Sequence, residues 1–304
     1  MKTKIAITLG AMALSALSGS AYASSITQPG ETVGIAIGAP LPEGVYFVDT
    51  GSYGTARTVS DDGWALVNIP VVAWSTPWTF LGGRIEAYVA APQEVAGRSN
   101  PSLFFSSIYN PALLVGEAWS LGNGWNFSQF FGGYAPVDNA LGAAHDAWIF
   151  NSRSAITYNG DNWDLTAHVI YGASSDTQNG PSQGFKVQPD YLNLDLTATK
   201  TLGKWEVGAV GFGSWDVSGT YDPYYRKQSQ FALGGLVGYN FTGISVQAYL
   251  THDIWTENYF NASDYCDPVT GNRCSKAYET RFWTRLIIPL WSPPAEPVLT
   301  TYKK

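Results

Sequence analysis

Ionisable side chains recur at every second position in several segments of the chain. Glu279 and Arg281 are two residues apart, and Arg84 and Glu86 repeat that spacing. This spacing places both side chains on one face of a β-strand. Groups of both signs on one face can neutralise each other, or they can line a passage and orient a polar substituent of a solute. The candidate pore-lining residues are Arg84, Glu86, Arg153, Asp164, His168, Asn193, Asp195, Glu206, Glu279, Arg281 and Arg285.

A second possible chemistry is nucleophilic catalysis on lipid at a membrane boundary. A hydrolase or acyltransferase needs a histidine base within hydrogen-bond reach of a nucleophile. His252, beside Asp253, is the best candidate base, and Ser75, Ser107 and Ser229 are candidate nucleophiles. None of these serines lies in a recognisable motif, so this reading is kept only as an alternative.

The histidines and cysteines give no sign of a metal site. His145, His168 and His252 lie in different segments, and no two potential ligands have the close spacing of a zinc motif. No metal and no other cofactor is predicted. Cys266 and Cys274 share the longest polar loop, and in an exported protein such a pair is expected to form a disulfide.

The composition excludes several classes of protein. Of 304 residues, 45% are hydrophobic, 14% aromatic and only 13% charged, against about 25% charged in an ordinary soluble domain. The formal net charge of −7 argues against a nucleic-acid-binding protein. Lys2, Lys4, the apolar stretch 5–17 and the small-x-small pattern at 21–23 predict a signal peptide over residues 1–23. We therefore expect an exported chain.

Alternating polarity identifies the elements that position these residues. No segment after the signal peptide has the ~20 consecutive apolar residues of a spanning helix, but many segments alternate with a period of two. Short Asn/Gly turns about 40 residues apart separate long polar loops, which is typical of antiparallel membrane barrels. About twelve strands are predicted, near 44–50, 64–75, 78–90, 111–121, 125–135, 148–159, 163–173, 190–201, 205–215, 229–240, 244–254 and 278–290.

Aromatic residues distinguish a membrane barrel from a β-propeller, which has a similar period. Many of them fall at strand ends, eight to ten residues apart on one face. That spacing corresponds to about 20–25 Å along the barrel axis, the height of an apolar band between two girdles. The predicted girdle residues are Trp125, Trp163, Tyr171, Trp205, Trp215 and Tyr239.

The fold class predicted is thus an all-β, antiparallel transmembrane barrel in the outer membrane of a Gram-negative bacterium. The short turns are expected on the periplasmic side and the long loops outside the cell. The barrel is assigned to 44–291. The segment 24–43 is either periplasmic or pore-lining, and 292–304 forms a Pro-rich C-terminal tail. The strand at 111–121 is less regular than the later ones, because Glu117 lies on the same face of the strand as Leu113 and Val115.

Several stretches resemble the outer-membrane proteins of the meta-pathway phenol-degradation family. They are 42–46 (PEGVY), 121–127 (LGNGWNF), 192–194 (LNL) and 202–205 (LGKW). The resemblance implies passive uptake of small hydrophobic or aromatic compounds, and it brings no catalytic residues with it. The chain departs from the usual aromatic last residue of outer-membrane barrels, since Trp291 is followed by the Pro-rich tail.

The expected function is therefore a non-enzymatic outer-membrane channel. Its expected partners are membrane lipid and small hydrophobic or aromatic solutes, and no nucleic acid is expected. The oligomeric state is left open. The alternatives are a barrel-embedded lipid hydrolase or acyltransferase, and a barrel with a purely structural role.

Overall fold

The computed structural model describes residues 25–57, 62–98, 102–141, 145–223, 225–258 and 278–294. The predicted signal peptide, Cys266 and Cys274 lie outside the described residues, as does most of the C-terminal tail. Among the residues that are described, no helix is long and apolar enough to cross a membrane.

Fourteen β-strands form within the described part of the chain, together with one turn of 3-10 helix at Gly180–Ser182. The strands are β1 Gly44–Arg57, β2 Asp62–Phe80, β3 Gly83–Ala90, β4 Gln93–Arg98, β5 Leu103–Ile108, β6 Ala112–Gly122, β7 Trp125–Tyr134, β8 Ala147–Gly160, β9 Trp163–Thr177, β10 Tyr191–Leu202, β11 Trp205–Asp216, β12 Ser229–Asn240, β13 Ser245–Glu257 and β14 Tyr278–Trp291.

Twelve of these strands close into an antiparallel barrel. Neighbours in sequence pair from β6 to β14, β3 joins β6 to β2, and β1 closes the circuit by pairing with both β2 and β14. The predicted barrel of about twelve antiparallel strands is therefore confirmed. Closure leaves no free sheet edge around the circuit, which is the condition for placing strands in lipid.

The region after β1 differs from the prediction in two ways. The prediction ended one strand at 75 and began the next at 78, whereas β2 runs to Phe80 and the chain reverses at Leu81 and Gly82. Both turn residues have positive φ, as a tight hairpin requires. In addition, β4 and β5 form a hairpin on the extracellular half of β2. It was not predicted, because its two six-residue strands carry no regular alternation.

The short turns lie at the end of the barrel predicted to be periplasmic. Asn123, Asp161, Asn162 and Thr242 have φ between 50° and 66°. Such residues allow two-residue reversals without disturbing the strands. Side chains then alternate between the lumen and the outer surface along each strand.

The outer surface is apolar along the wall formed by β9 to β12. Between its aromatic ends, β9 presents Leu165, Ala167 and Val169, and β12 presents Leu233 and Val237. We call the outward faces of β9–β12 the apolar wall. A band of this kind suits contact with hydrocarbon chains, because it exposes no group that needs a hydrogen bond.

Candidate functional site

The segment before β1 fills the lumen of the barrel. We call residues 25–42 the plug. Its residues Thr27 and Val33 are fully buried, and Ile26 is nearly so. This segment has no helix or strand of its own, and only some of its backbone groups pair within its turns, as the Glu31 amide does with the Gln28 carbonyl. The others need partners on the barrel's inner face.

Asp195 on β10 holds the first turn of the plug. Its carboxylate accepts hydrogen bonds from the backbone amides of Gly30 (2.8 Å) and Thr32 (3.0 Å), and from the Thr32 hydroxyl (2.6 Å). His168 on β9 approaches the same hydroxyl with Nδ1, at 2.8 Å. A buried carboxylate satisfied by three donors anchors a backbone segment strongly, because charge-assisted bonds exceed neutral ones.

Two glycines let the plug lie close to the barrel wall. Gly30 has φ of +86° and Gly34 has φ of +77°, and a side chain at position 30 would come within 2.5 Å of the Phe212 ring. Both positions require a backbone conformation that L-residues rarely adopt. The plug therefore follows the lumen wall only because small residues occupy these positions.

A cluster of hydroxyl and amide groups binds the N-terminal part of the plug. The Thr27 hydroxyl lies 2.9 Å from the hydroxyl of Tyr134 and 2.8 Å from that of Tyr191. The side-chain amide of Asn193 donates to the Thr27 carbonyl (2.9 Å) and to the Ser25 hydroxyl (2.9 Å). These residues lie on β7 and β10, so the plug links strands that do not pair with each other.

Arg285 on β14 makes the largest set of contacts with the plug. Its guanidinium donates to the carbonyls of Val33 (2.5 Å) and Glu31 (2.6 Å). It also donates to the side chains of Gln247, Tyr249 and Thr50 on the barrel. All five donors of an arginine can be used in this way, so Arg285 joins three strands to the plug.

Arg153 on β8 forms an ion pair with the plug. Its guanidinium lies 2.8 Å from the carboxylate of Glu31 in the plug. It also donates to Asn151 (2.7 Å) and to the Tyr134 hydroxyl (2.9 Å). Both charges are largely buried, so each partner offsets the desolvation of the other.

At the end of the plug, Glu86 on β3 accepts a hydrogen bond from the Leu41 amide at 2.8 Å. The Tyr88 hydroxyl donates to the other oxygen of the same carboxylate. Arg84 lies nearer the turn between β2 and β3, where it donates to the Thr76 carbonyl (2.8 Å) and approaches Glu43 at 3.9 Å. The two residues predicted as neighbours on one face thus have different partners.

Glu279 and Arg281 form a separate pair toward the extracellular end. Their side chains are 2.5 Å apart on the same strand, and Arg281 also donates to the Ser52 hydroxyl at 2.9 Å. Arg281, Arg285, Arg153 and Arg84 therefore do not form one cluster. They are distributed along the lumen, and two of them bind the plug.

A cavity of about 440 Å³ lies between the plug and the periplasmic turns. Asp164 and Glu206 line it, together with Gly34, Thr199 and Thr201. The Thr166 hydroxyl donates to Asp164 (2.7 Å), and the Thr199 hydroxyl donates to Glu206 (2.7 Å). This polar cavity is an inner vestibule that carries negative charge.

Aromatic side chains form the other major feature of the lumen, and the sequence reasoning missed them. Phe212, Tyr249 and Trp283 are buried on inward positions, and they pack with Val33 of the plug. The Tyr249 and Trp283 rings stack at 5.1 Å, and the Phe212 ring meets Trp283 edge-on at 6.2 Å. The signal was present in the parity of Trp283, which lies between Arg281 and Arg285 on the inward face.

The residues predicted to form aromatic girdles lie on the outer face. Trp125, Trp163 and Trp205 are exposed beside the short turns, and Tyr171 is exposed nearer the other end of β9. Trp205 contacts Tyr239 across the strands, with ring centroids 4.8 Å apart. Trp215 is half-buried. Their contact with lipid headgroups remains a prediction.

The residues considered for catalysis are not assembled into a site. His252 is exposed on the outer face, and its Nδ1 lies 2.8 Å from the Thr280 hydroxyl on the neighbouring strand. Ser75 instead donates to the Leu41 carbonyl at the end of the plug. Neither Ser107 nor Ser229 is a hydrogen-bond partner of His252 within the residues described. This geometry gives the hydrolase alternative no support.

The closed antiparallel barrel, its apolar outer wall and its polar, plugged interior together define an outer-membrane β-barrel of the channel type. The family model described as "Putative MetA-pathway of phenol degradation" matches residues 27–264. The chain therefore belongs to that family, and the resemblance noted from the sequence is confirmed.

The barrel is similar to solved outer-membrane structures. It matches the crystal structure of an outer membrane channel from Pseudomonas putida F1 with a TM-score of 0.65 and 12% identity, covering 83% of this chain and 98% of that chain. A FadL homologue from Pseudomonas aeruginosa matches with a TM-score of 0.48 and 7% identity, covering 86% of this chain and 98% of that chain. Among curated protein sequences, none is significantly similar to this chain.

Proposed function

We propose that this protein is an outer-membrane channel for the passive uptake of small hydrophobic or aromatic compounds. The observation that carries the proposal is the buried aromatic cluster of Phe212, Tyr249 and Trp283 inside the barrel. A pore for ions has little use for apolar rings, because they cannot replace the hydrogen bonds that a hydrated ion gives up. An aromatic solute gains both apolar burial and ring–ring contact.

Family membership supports the same substrate class. The family takes its description from a pathway of phenol degradation, and cells that degrade aromatic compounds must first admit them. The solved channel with the similar fold supports passage through a barrel of this architecture. We infer that the solutes are neutral or weakly polar aromatic molecules with one or a few rings.

The polar lumen residues have two roles in this proposal. Asp195, Arg153 and Arg285 hold the plug, which fills the lumen and covers the aromatic cluster with Val33. We infer that a solute reaches the rings when the plug shifts, and that the plug excludes larger hydrated solutes. Asp164 and Glu206 keep the inner vestibule wet, so that a solute leaving the aromatic cluster enters a polar environment on the periplasmic side. A solute moving inward therefore contacts the apolar rings first and the polar vestibule afterwards.

Uptake into proteoliposomes tests the proposal. Purified protein in vesicles is offered toluene, phenol and arabinose, and influx is compared with that into protein-free vesicles. Because aromatic solutes also cross lipid unaided, the rate must be taken early and at several protein densities. We expect influx of toluene and phenol to increase with protein density, and influx of arabinose to remain low.

Two results would contradict the proposal. Arabinose influx equal to that of phenol would indicate a general pore. A protein that changes the influx of none of the three solutes would favour a structural barrel.

A further inference from the structure

The outer surface of the barrel has a polar row where a lipid-facing wall should be apolar. Glu117 on β6, Gln129 on β7, and Ser152 and Ser154 on β8 all occupy outward positions. We call these four residues the polar row. Glu117 has Leu113 and Val115 on the same face of its strand, and both of them are exposed.

The row is continuous across three strands. Glu117 is the register partner of Gln129, and Gln129 is the register partner of Ser154. The Ser154 hydroxyl donates to Gln129 Oε1 at 2.5 Å, and Gln129 Nε2 donates to the Ser152 hydroxyl at 3.2 Å. In the part of the chain that the structure describes, no group hydrogen-bonds to the Glu117 carboxylate.

The polar row lies at about the middle of the membrane. Glu117 is five residues from either end of β6, and Gln129 is four residues above the exposed Trp125. Four residues on a tilted strand rise about 10 Å, which is close to half the height of an apolar band. A carboxylate and an amide at this depth face hydrocarbon, where polar groups without partners are unfavourable.

A two-fold axis along the membrane normal supplies the missing partner. Two barrels inserted in the same direction and related by such an axis present β6 of one copy to β7 of the other. Since Glu117 and Gln129 lie side by side at one depth, the axis places Glu117 of each copy opposite Gln129 of the other. Isologous contacts are self-complementary in this way.

We propose that the polar row is the dimer interface of this protein, with a second copy of the chain as its occupant. The amide of Gln129 in one copy donates to the Glu117 carboxylate of the other, and the reciprocal bond forms on the other side of the axis. Gln129 Nε2 gives up its long, 3.2 Å bond to the Phe130 carbonyl for a charge-assisted bond, which is stronger.

Aromatic residues on either side of the row supply the apolar part of the contact. Trp119 and Phe127 stack at 5.8 Å below it, and Phe131 and Phe150 stack at 6.3 Å above it. All four project outward. Packed sheets lie about 10 Å apart, a distance that a glutamate and a glutamine can span together.

A second group of outward polar residues, Asp49 on β1, Asn68 on β2 and Thr284 on β14, is arranged differently. Asp49 on β1 is also on an outward position, but its register partners are Pro70 and Leu286. Neither can donate a hydrogen bond to a carboxylate from its side chain. A two-fold axis between Asp49 and either partner would therefore oppose an acid to an apolar residue. The amide of Asn68 lies opposite Gly51, two residues along β1 from Asp49, so no acid and amide share one depth as Glu117 and Gln129 do.

Sedimentation equilibrium in density-matched detergent micelles tests the interface with variants that exchange its groups. We expect wild type to dimerise in a concentration-dependent manner. Gln129→Glu places carboxylate against carboxylate, and it should weaken the dimer at neutral pH by at least about tenfold. Adding Glu117→Gln restores one acid and one amide at each contact, and it should return the dissociation constant to near the wild-type value.

Ala167→Leu on the apolar wall is the matched control, and it should leave dimerisation unchanged. Heat-modifiable gel mobility verifies that every variant is folded. A wild-type protein that stays monomeric at all concentrations would overturn the proposal. So would a double variant that dimerises no better than Gln129→Glu. Solute uptake does not enter this measurement, so the interface and the proposed channel function succeed or fail separately.

Discussion

The two outer walls of the barrel differ although both are built from similar strands. The apolar wall of β9–β12 presents only apolar residues between its aromatic ends, whereas β6–β8 present the polar row at mid-height. Inside, both walls carry polar side chains that bind the plug, such as Arg153 on β8 and Asp195 on β10. The inward residues of both walls are therefore suited to binding the plug. The outward residues differ because, in this interpretation, each wall faces a different environment in the membrane.

The largest effect is expected on the apolar wall. Ala167→Arg places a charge in the hydrocarbon and should reduce the free energy of folding into vesicles by about 2–4 kcal/mol. Thr166→Arg is the control on the next residue, which points into the lumen and donates to Asp164. Its cost should be lower than that of Ala167→Arg, because the guanidinium can pair with the Asp164 carboxylate. Equal penalties in a folding titration would contradict the assignment of faces on β9.

The loop between β7 and β8 contains a buried histidine, and its stability is expected to depend on pH. Burial lowers the pKa of His145 to about 4, whereas the unfolded side chain titrates near 6.5. As the pH falls, the unfolded loop therefore binds a proton first. Loop stability is fully present above about pH 6.5 and decreases down to about pH 4, by as much as about 3 kcal/mol.

Hydrogen exchange at the Val137 amide measures this effect, because that amide donates to the His145 carbonyl at 2.9 Å. After correction for the intrinsic pH dependence of exchange, protection should decrease between pH 6.5 and 4. His145→Gln should remove that dependence. Protection that does not change with pH in the wild type would show that His145 does not control the loop.

Inside the barrel, two arginines on the same face of β14 have different partners, since one binds the plug and the other binds only the barrel wall. Arg285 binds the plug carbonyls of Glu31 and Val33, while Arg281 binds Glu279 and Ser52. Arg285→Gln should weaken the hold on the plug by about 2 kcal/mol and raise single-channel conductance in planar bilayers. Arg281→Gln should leave the conductance closer to wild type. If the two variants conduct alike, the plug is not held mainly by Arg285.

The smallest change in folding free energy is expected for a charge placed in the polar row. Glu117→Arg also places a charge at mid-height, but next to Gln129 and the serines of the polar row. Those side chains can accept hydrogen bonds from the guanidinium, so the cost to folding should be about 1 kcal/mol, well below that of Ala167→Arg. A penalty as large as the one at Ala167 would mean that the two walls face the same environment.

Strand order and the faces of the later strands could be predicted from the sequence, because β9–β12 separate polar and apolar residues cleanly. The anomaly at Glu117 was visible from its parity with Leu113 and Val115, and the structure places Glu117 on the outer face. Ile170 is an exception of the opposite kind, an apolar residue on the inward face of β9. It is fully buried.

The plug could not be positioned from the sequence. Residues 25–42 have no periodicity, and their placement depends on partners far along the chain, such as Asp195 and Arg285. Alternation also says only that a residue points inward. Whether it meets the plug, as Arg153 does, or a neighbour on its own strand, as Arg281 does, is decided by the depth of each position in the closed barrel.

Two adjacent residues of β14 test whether aromatic solutes pass along the buried aromatic cluster. Trp283 points into the lumen and is fully buried, whereas Phe282 is half-exposed on the outer face. Phenol influx into proteoliposomes is measured for Trp283→Leu and Phe282→Leu at equal protein density. We expect Trp283→Leu to lower the protein-dependent influx severalfold, because it removes a ring that the solute contacts, and Phe282→Leu to leave the influx near wild type. Equal influx in the two variants and the wild type would contradict passage along the cluster.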